Sequence, residues 1–196
     1  MNTRRPKKID AGQVVEAVSK YRGAKIIAID GLPCSGKSTL ATRVRDIAGF
    51  ECIHLDEFAL PTQHWPHDIG PAFPFRYIRY GQFLEAVRLL KSTGSCTYRT
   101  YDWEKDSISA NSRTVELADP VVVEGVSALN SAICDLYDTR IFVKSDPATA
   151  LSAAIDRAGD GWAHTWRSLF MPSVDIYMAT TPSMRADLIV EGRMRH

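Results

Sequence analysis

Gly31-Leu32-Pro33-Cys34-Ser35-Gly36-Lys37-Ser38-Thr39 fits the pattern G-x-x-x-x-G-K-[ST] at every fixed position and follows directly on an apolar stretch, Lys25 to Asp30. A loop that wraps a polyphosphate must turn tightly enough to aim successive backbone N–H groups inward. That needs glycine wherever a side chain would clash or φ must be positive, and Gly31 and Gly36 supply those places. Lys37 can then set its ammonium over the β- and γ-phosphates and Ser38 can offer its hydroxyl to Mg2+. The helix beginning here points its positive end at the anion. Cys34, Ser35 and Thr39 complete the expected nucleotide-binding set, Cys34 as a small filler of the loop. Lys25 to Ile29 reads as a buried strand and Thr39 to Ala48 as a helix, the strand–loop–helix order that this chemistry requires.

Outward from the loop, strands arrive singly and alternate with helices. Glu51 to Leu55, Pro120 to Val123, Thr139 to Val143 and Asp187 to Val190 read as the second to fifth strands. Continuous β-branched runs such as Val121-Val122-Val123 suit strands covered on both faces, as in a parallel sheet between helical layers. Asp10 to Tyr21 and Gln82 to Leu90 have helical apolar spacing, and Asp146-Pro147 is an N-cap and first-turn pair opening another helix. Phe58 to Tyr80, crowded with proline and aromatic residues, reads as an irregular excursion from the sheet. The expectation is therefore a three-layer α/β/α fold around a five-stranded parallel sheet. A chain of 196 residues suits one such domain, 1–196, with an excursion at about 56–105 and a small helical lid at about 156–170.

Bulk charge is nearly balanced, 24 Lys+Arg against 23 Asp+Glu, so no global field argues for nucleic acid or an anionic membrane. Arg4-Arg5-Pro6-Lys7-Lys8 reads as a solvated tail. No apolar run reaches membrane-spanning length and the first residues lack a secretory signal, which makes a cytoplasmic protein the expectation. A homo-oligomer is compatible with the sequence. Cys34, Cys52, Cys96 and Cys134 are scattered without a C-x-x-C pair and read as free thiols.

In open parallel sheets functional groups gather beyond the carboxyl ends of the strands. Asp56 follows the second strand and Glu124 the third, so both open onto the edge that carries the phosphate loop. A magnesium–nucleotide reaction needs one carboxylate near the ion and, where a hydroxyl is the acceptor, another to take its proton. Glu57, beside Asp56, points elsewhere in an extended chain. A lid that excludes water is also needed, and Arg157-Ala158-Gly159-Asp160-Gly161-Trp162 offers two hinge glycines with an arginine to meet developing negative charge. Arg167 is a second candidate for that contact. A regulatory GTPase would need N-K-x-D after a late strand; Val143-Lys144-Ser145-Asp146 lacks the Asn.

The phosphate loop, Leu55-Asp56-Glu57-Phe58, Arg99-Thr100-Tyr101-Asp102-Trp103, Val122 to Leu129 and Arg185 to Val190 together resemble the uridine kinase and phosphoribulokinase family, over about Ile26 to Glu191. The resemblance implies a P-loop kinase fold, its five strands in the order second-third-first-fourth-fifth, and transfer of a phosphoryl group from ATP or GTP, with Mg2+, to a small-molecule hydroxyl, first of all on a nucleoside. It implies Lys37 on the triphosphate, Ser38 and Glu124 at Mg2+, Asp56 as the base and Arg157 as the lid arginine. Around the acceptor, in the 56–105 excursion, it implies Tyr101 and Asp102, with Asp68 laid against the family's ribose-gripping Asp. Phe73-Pro74-Phe75-Arg76-Tyr77 departs from the family, and its aromatic residues, like Trp103, can either stack on a planar ring or pack the loop, with Phe73, Arg76 and Trp103 as further candidates. Asp106 stands where uridine kinases carry a histidine. A sugar or vitamin-like alcohol as acceptor, and a nucleotide-binding module or ATPase without a small-molecule acceptor, are the alternatives.

Overall fold

A computed structural model describes residues 6–23 and 25–192. Its strands are β1 (Lys7–Ile9), β2 (Ile26–Gly31), β3 (Glu51–His54), β4 (Ser95–Asp102), β5 (Ser107–Glu116), β6 (Val121–Glu124), β7 (Thr139–Lys144) and β8 (Leu188–Glu191). The helices are α1 (Ala11–Val18), α2 (Lys37–Ala48), α3 (Tyr80–Thr93), α4 (Pro147–Ala158), α5 (Ala163–Thr165) and α6 (Met171–Met178).

Six strands pair in parallel in the order β1-β8-β7-β2-β6-β3. Without β1 this is the expected order of five, second-third-first-fourth-fifth, so the correction is one added strand. Lys7, Lys8 and Ile9 pair with Leu188, Ile189 and Val190. So short a strand persists because the segment after it is anchored: Asp10 and Gln13 form a reciprocal capping box on α1, whose Val14, Val15 and Val18 are buried. Lysines suit an edge strand, since their charge discourages further pairing. Arg4 and Arg5 of the same basic run lie outside the described residues.

Side chains of the central strands alternate between two cores. Ile27, Ile29, Val122, Ile141 and Val143 pack against α1 and against Leu40, Ala41 and Val44 of α2. Ile26, Ala28, Val121, Val123 and Phe142 face Phe83, Val87 and Leu90 of α3 and Val174 and Tyr177 of α6. This double burial is why the strands carry apolar runs with no polar alternation, each fully buried aliphatic side chain contributing about 1.5–3 kcal/mol relative to exposure.

Beyond β3 the chain makes a 3-10 turn, Leu55–Phe58, and a wandering stretch that returns at the isolated bridge between Ala59 and Ile78. After α3 it forms an antiparallel hairpin, β4 with β5, separate from the main sheet. Phe58 stacks on Tyr98 of β4 with centroids 4.6 Å apart, and Arg79 donates to the carbonyls of Glu57 at 2.8 Å and Arg99 at 2.7 Å. The hairpin is thereby tied to the corner that bears Asp56.

Candidate active site

The phosphate loop lies between β2 and α2 with its glycines under steric constraint. Gly31 has φ 150°, and a β-carbon there would lie 2.3 Å from the Val143 carbonyl oxygen, so any side chain would push the loop off β7. Gly36 has φ 106° at the N-cap of α2, and no side chain among the described residues caps that helix. Its first-turn amides, with the positive end of the helix dipole, remain available for an anion. Inside the loop the Ser35 hydroxyl is buried without a hydrogen-bond partner among the described residues, a polar group of the kind that a ligand satisfies.

Asp30 fixes the loop from below. Its carboxylate, fully buried, accepts from the amides of Gly31 at 2.6 Å, Ser127 at 3.0 Å and Leu129 at 2.8 Å and from the hydroxyl of Tyr177. Burial raises its pKa against the pull of these four donors. One side chain therefore joins the loop to the segment after β6 and to α6.

Lys37, Glu124, His54 and Asp56 converge above. The Lys37 ammonium donates to the Leu32 carbonyl at 2.9 Å and lies 3.8 Å from Glu124 Oε1. Glu124, 5% exposed, takes a hydrogen bond from His54 Nδ1 at 2.9 Å on Oε2 and another from the Ser38 hydroxyl. Burial pushes its pKa up, but His54, Lys37 and Ser38 outweigh burial and hold the group below the usual glutamate value. The Cys52 sulfur and Glu124 lift His54 above the ordinary histidine value, to about 10. Asp56 sits on the floor of an open cleft: protein crowds it on most sides, yet its side chain keeps solvent access. Burial and the neighbouring Glu124 charge raise its pKa, opposed by Lys37, Arg157 and His54.

Arg157, in the last turn of α4, is exposed and close enough for its charge to act on Asp56. The helical stretch that follows includes a π-helical segment, Trp166–Phe170. Arg167 lies across a cavity of about 270 Å³ from α4.

The other expected residues have different surroundings. Glu57 turns from the cleft to Arg113 at 2.5 Å and Tyr98 at 2.6 Å. Phe73 packs against Tyr80 and Tyr177 at the edge of the core. Asp68 pairs with Arg76 at 3.4 Å on the surface. Asp102 accepts from the amides of Glu104 and Lys105 and so shapes the hairpin turn, where Trp103 is 68% exposed. Tyr101 donates to Asp106, which also takes the amide and hydroxyl of Thr62. Where the resemblance expects a histidine, the structure has an acid that staples the hairpin to the excursion.

Sequence reasoning missed His54, and it did not foresee that rings from the excursion and the lid stretch meet. Tyr77 runs beside the Asp56 corner, its carbonyl accepting from Leu60 N at 2.9 Å, and Asp56 acts on its phenol. Phe170 meets Tyr77 at 4.7 Å, Trp65 meets Phe170 at 5.9 Å, and Trp162 stacks on Phe170 at 6.1 Å. Rings distant in sequence thus meet between the excursion and the 160–170 stretch. The available signal was a histidine at the end of a strand, two positions before Asp56.

The donor set fits Mg2+. A carboxylate and a hydroxyl in mutual contact are hard oxygen ligands of the kind this ion takes, one or two at a time, beside phosphate oxygens and water. Among the described residues no group of three or more His, Cys, Asp or Glu side chains could hold a metal alone, so such an ion would draw most of its shell from the nucleotide.

Similar folds occur in solved structures described as kinases or possible kinases. A possible uridine kinase from Bacillus stearothermophilus is 21% identical, with a TM-score of 0.71 over 92% of this chain and 96% of that one. A candidate fructose transport system kinase from Silicibacter sp. TM1040 is 16% identical, TM-score 0.62, over 96% and 100%. A D-glycerate 3-kinase from Cryptococcus neoformans var. grubii is 13% identical, TM-score 0.53, over 92% and 95%. No curated protein sequence matches. The family model described as Phosphoribulokinase / Uridine kinase matches residues 71–191, more than half of the chain, starting after the phosphate loop and taking in Glu124 and Arg157. With a phosphate-binding loop, two acids at neighbouring strand ends and this match beyond them, the chain belongs to the phosphoribulokinase/uridine kinase family.

Proposed function

We propose that this protein transfers the γ-phosphoryl group of ATP or GTP to a hydroxyl of a small metabolite, with a nucleoside as the leading acceptor class. One observation carries the reading: Lys37, Glu124 and Asp56 converge above a loop whose glycines and uncapped helix end suit a polyphosphate. In phosphoryl transfer the protein mainly positions groups and neutralises charge. Lys37 holds the β- and γ-phosphates, and the loop amides take the remaining oxygens. Ser38 and Glu124 would hold Mg2+, which when bound would supply neutralisation of the phosphate charge. Asp56 accepts the proton of the acceptor hydroxyl as that oxygen bonds to the γ-phosphorus and the bond to the nucleoside diphosphate breaks. Arg157 meets the negative charge that develops on the transferred group.

The acceptor class rests on the rings beside Asp56. Tyr77, on which Asp56 acts, is packed with Trp65 and Phe170, and Trp162 stacks on Phe170; an aromatic cluster there suits a planar base better than a small polyanion. A second reading, a sugar or vitamin-like alcohol, is favoured by Tyr101, Asp102 and Asp106, whose polar atoms already serve the hairpin. We place 1–196 in one kinase domain, with 56–105 binding the acceptor and 156–170 as the lid. The test is incubation with Mg-ATP or Mg-GTP and pooled nucleosides, sugars and vitamin alcohols, followed by mass spectrometry. A nucleoside monophosphate is expected; phosphorylation of a sugar alone would overturn the acceptor class, and nucleotide binding without any phosphorylated product would overturn the kinase reading.

A further inference from the structure

A carboxylate that helps hold a nucleotide-bound ion must keep one orientation, and a buried glutamate has several rotamers to choose from. Glu124 ends β6 and His54 ends β3, and parallel pairing puts these two residues side by side in register. His54 Nδ1 lies 2.9 Å from Glu124 Oε2. A carboxylate can only accept, so Nδ1 carries the proton and donates it to that oxygen. The second oxygen, Oε1, lies 3.8 Å from Lys37 Nζ. The two contacts divide the carboxylate, one oxygen to the neighbouring strand and the other to the phosphate-loop lysine. The His54 backbone amide has a separate, longer contact at 3.4 Å with Glu57, so backbone and ring have different partners.

We infer that His54 is a positioning residue for the nucleotide–metal site: by donating from Nδ1 to Oε2 it fixes Glu124 and leaves Oε1 toward Lys37 and the phosphate loop. Cys52 does not share this task. Its sulfur is 3.9 Å from the same nitrogen, a weak partner that makes no contact of its own with the phosphate loop in the bonds described. Removing an outer hydrogen-bond partner of a metal ligand typically costs 10–100-fold in metal affinity. The inference rests on Glu124 serving the ion, as proposed above.

The test uses the full chain, Mn2+ as a spectroscopic stand-in for Mg2+, and the β,γ-imido analogue of ATP. Paramagnetic resonance reads free Mn2+, and calorimetry in EDTA reads metal-free nucleotide binding. His54→Ala should weaken Mn2+ binding in the ternary complex about 10-fold or more with metal-free nucleotide affinity unchanged. His54→Asn, whose side-chain amide nitrogen falls near the place of Nδ1, should restore most of it. Cys52→Ala should leave Mn2+ affinity as in the wild type. Should His54→Ala fail to fold, His54→Leu fills similar space without a donor and must show the same loss. Wild-type Mn2+ affinity in either donorless variant, or an equal loss in His54→Asn, overturns the inference. If the wild type itself shows no metal-dependent nucleotide binding, the reading of Glu124 and the kinase proposal fail first, which separates the two failures.

Discussion

Lys37 is 5% exposed and hydrogen-bonded to Leu32 O while close to Glu124, so its ammonium is already aimed into the loop before any nucleotide arrives. Lys37→Ala removes the ammonium placed there and leaves Glu124 with less compensation. The expected outcome is loss of nucleotide-dependent turnover and weakened triphosphate binding by calorimetry; normal turnover would mean the loop has been misread. Asp56 invites a sharper test because its proposed role is chemical. Asp56→Asn should keep nucleotide binding and lower kcat by about 10²–10⁴, the usual reach of a general base. A base acts only when deprotonated, so kcat/KM rises with pH through the Asp56 pKa. Burial and the Glu124 charge raise that pKa, which puts the acid limb above the ordinary aspartate value of about 4. In Asp56→Asn this limb should disappear; a limb that persists at the same pH belongs to another group.

At the scale of elements, Asp30 and the lid make separate predictions. Asp30 accepts four hydrogen bonds from β2, the segment after β6 and α6. Asp30→Asn turns an NH2 group toward one pair of these donors, and a buried donor left unpaired costs about 1–3 kcal/mol. That loss, read by chemical denaturation, should come with weaker nucleotide binding, because Gly31 N is one of the donors. Arg157→Ala should lower kcat while leaving stability within about 0.5 kcal/mol, as for an exposed side chain; a fall in stability with kcat intact would make Arg157 structural. The elements also show what the sequence could reveal. The apolar runs of β2, β6 and β7 and the capped start of α4 were legible because burial on both faces and an Asp-Pro pair leave local marks. The hairpin was not: β4 and β5 are rich in Ser, Thr and Arg, and their turn has no Gly, Asn or Pro, using Asp106 at φ 45° instead. β1 was hidden because two of its three residues are lysines, and what makes it a strand is its partner β8, 181 positions away at Lys7.

Across the whole molecule, stability is graded from the sheet outward, and the proposed function needs that gradient. The backbone of β2, β6 and β7 is hydrogen-bonded on both sides, and β2, β6 and residues 141–143 of β7 are buried, so the amides there should exchange with solvent only on global unfolding. The candidate site shows the same division. Lys37, Glu124 and Asp56 were legible because each sits at or next to the end of a rigid element in a motif with local spacing. His54 and the ring cluster were not, because strand pairing brings the first to Glu124 and tertiary packing assembles the second from segments about 100 residues apart. The stretch 159–170 meets the excursion through those rings and, apart from Leu169, leaves its residues half-buried or exposed, with Trp162 at 40%, so it should open locally at lower cost than the central strands. A lid that closes over phosphates gains protection only when they are bound. Hydrogen exchange with and without Mg2+ and the β,γ-imido analogue of ATP should therefore slow at 156–170 by an order of magnitude or more, while the central strands, limited by global unfolding, slow only through the overall stabilisation that ligand binding gives. Protection confined to the phosphate loop, with 156–170 exchanging as fast as in the free protein, would leave Arg157 without a closing element to carry it and would remove the lid from the mechanism.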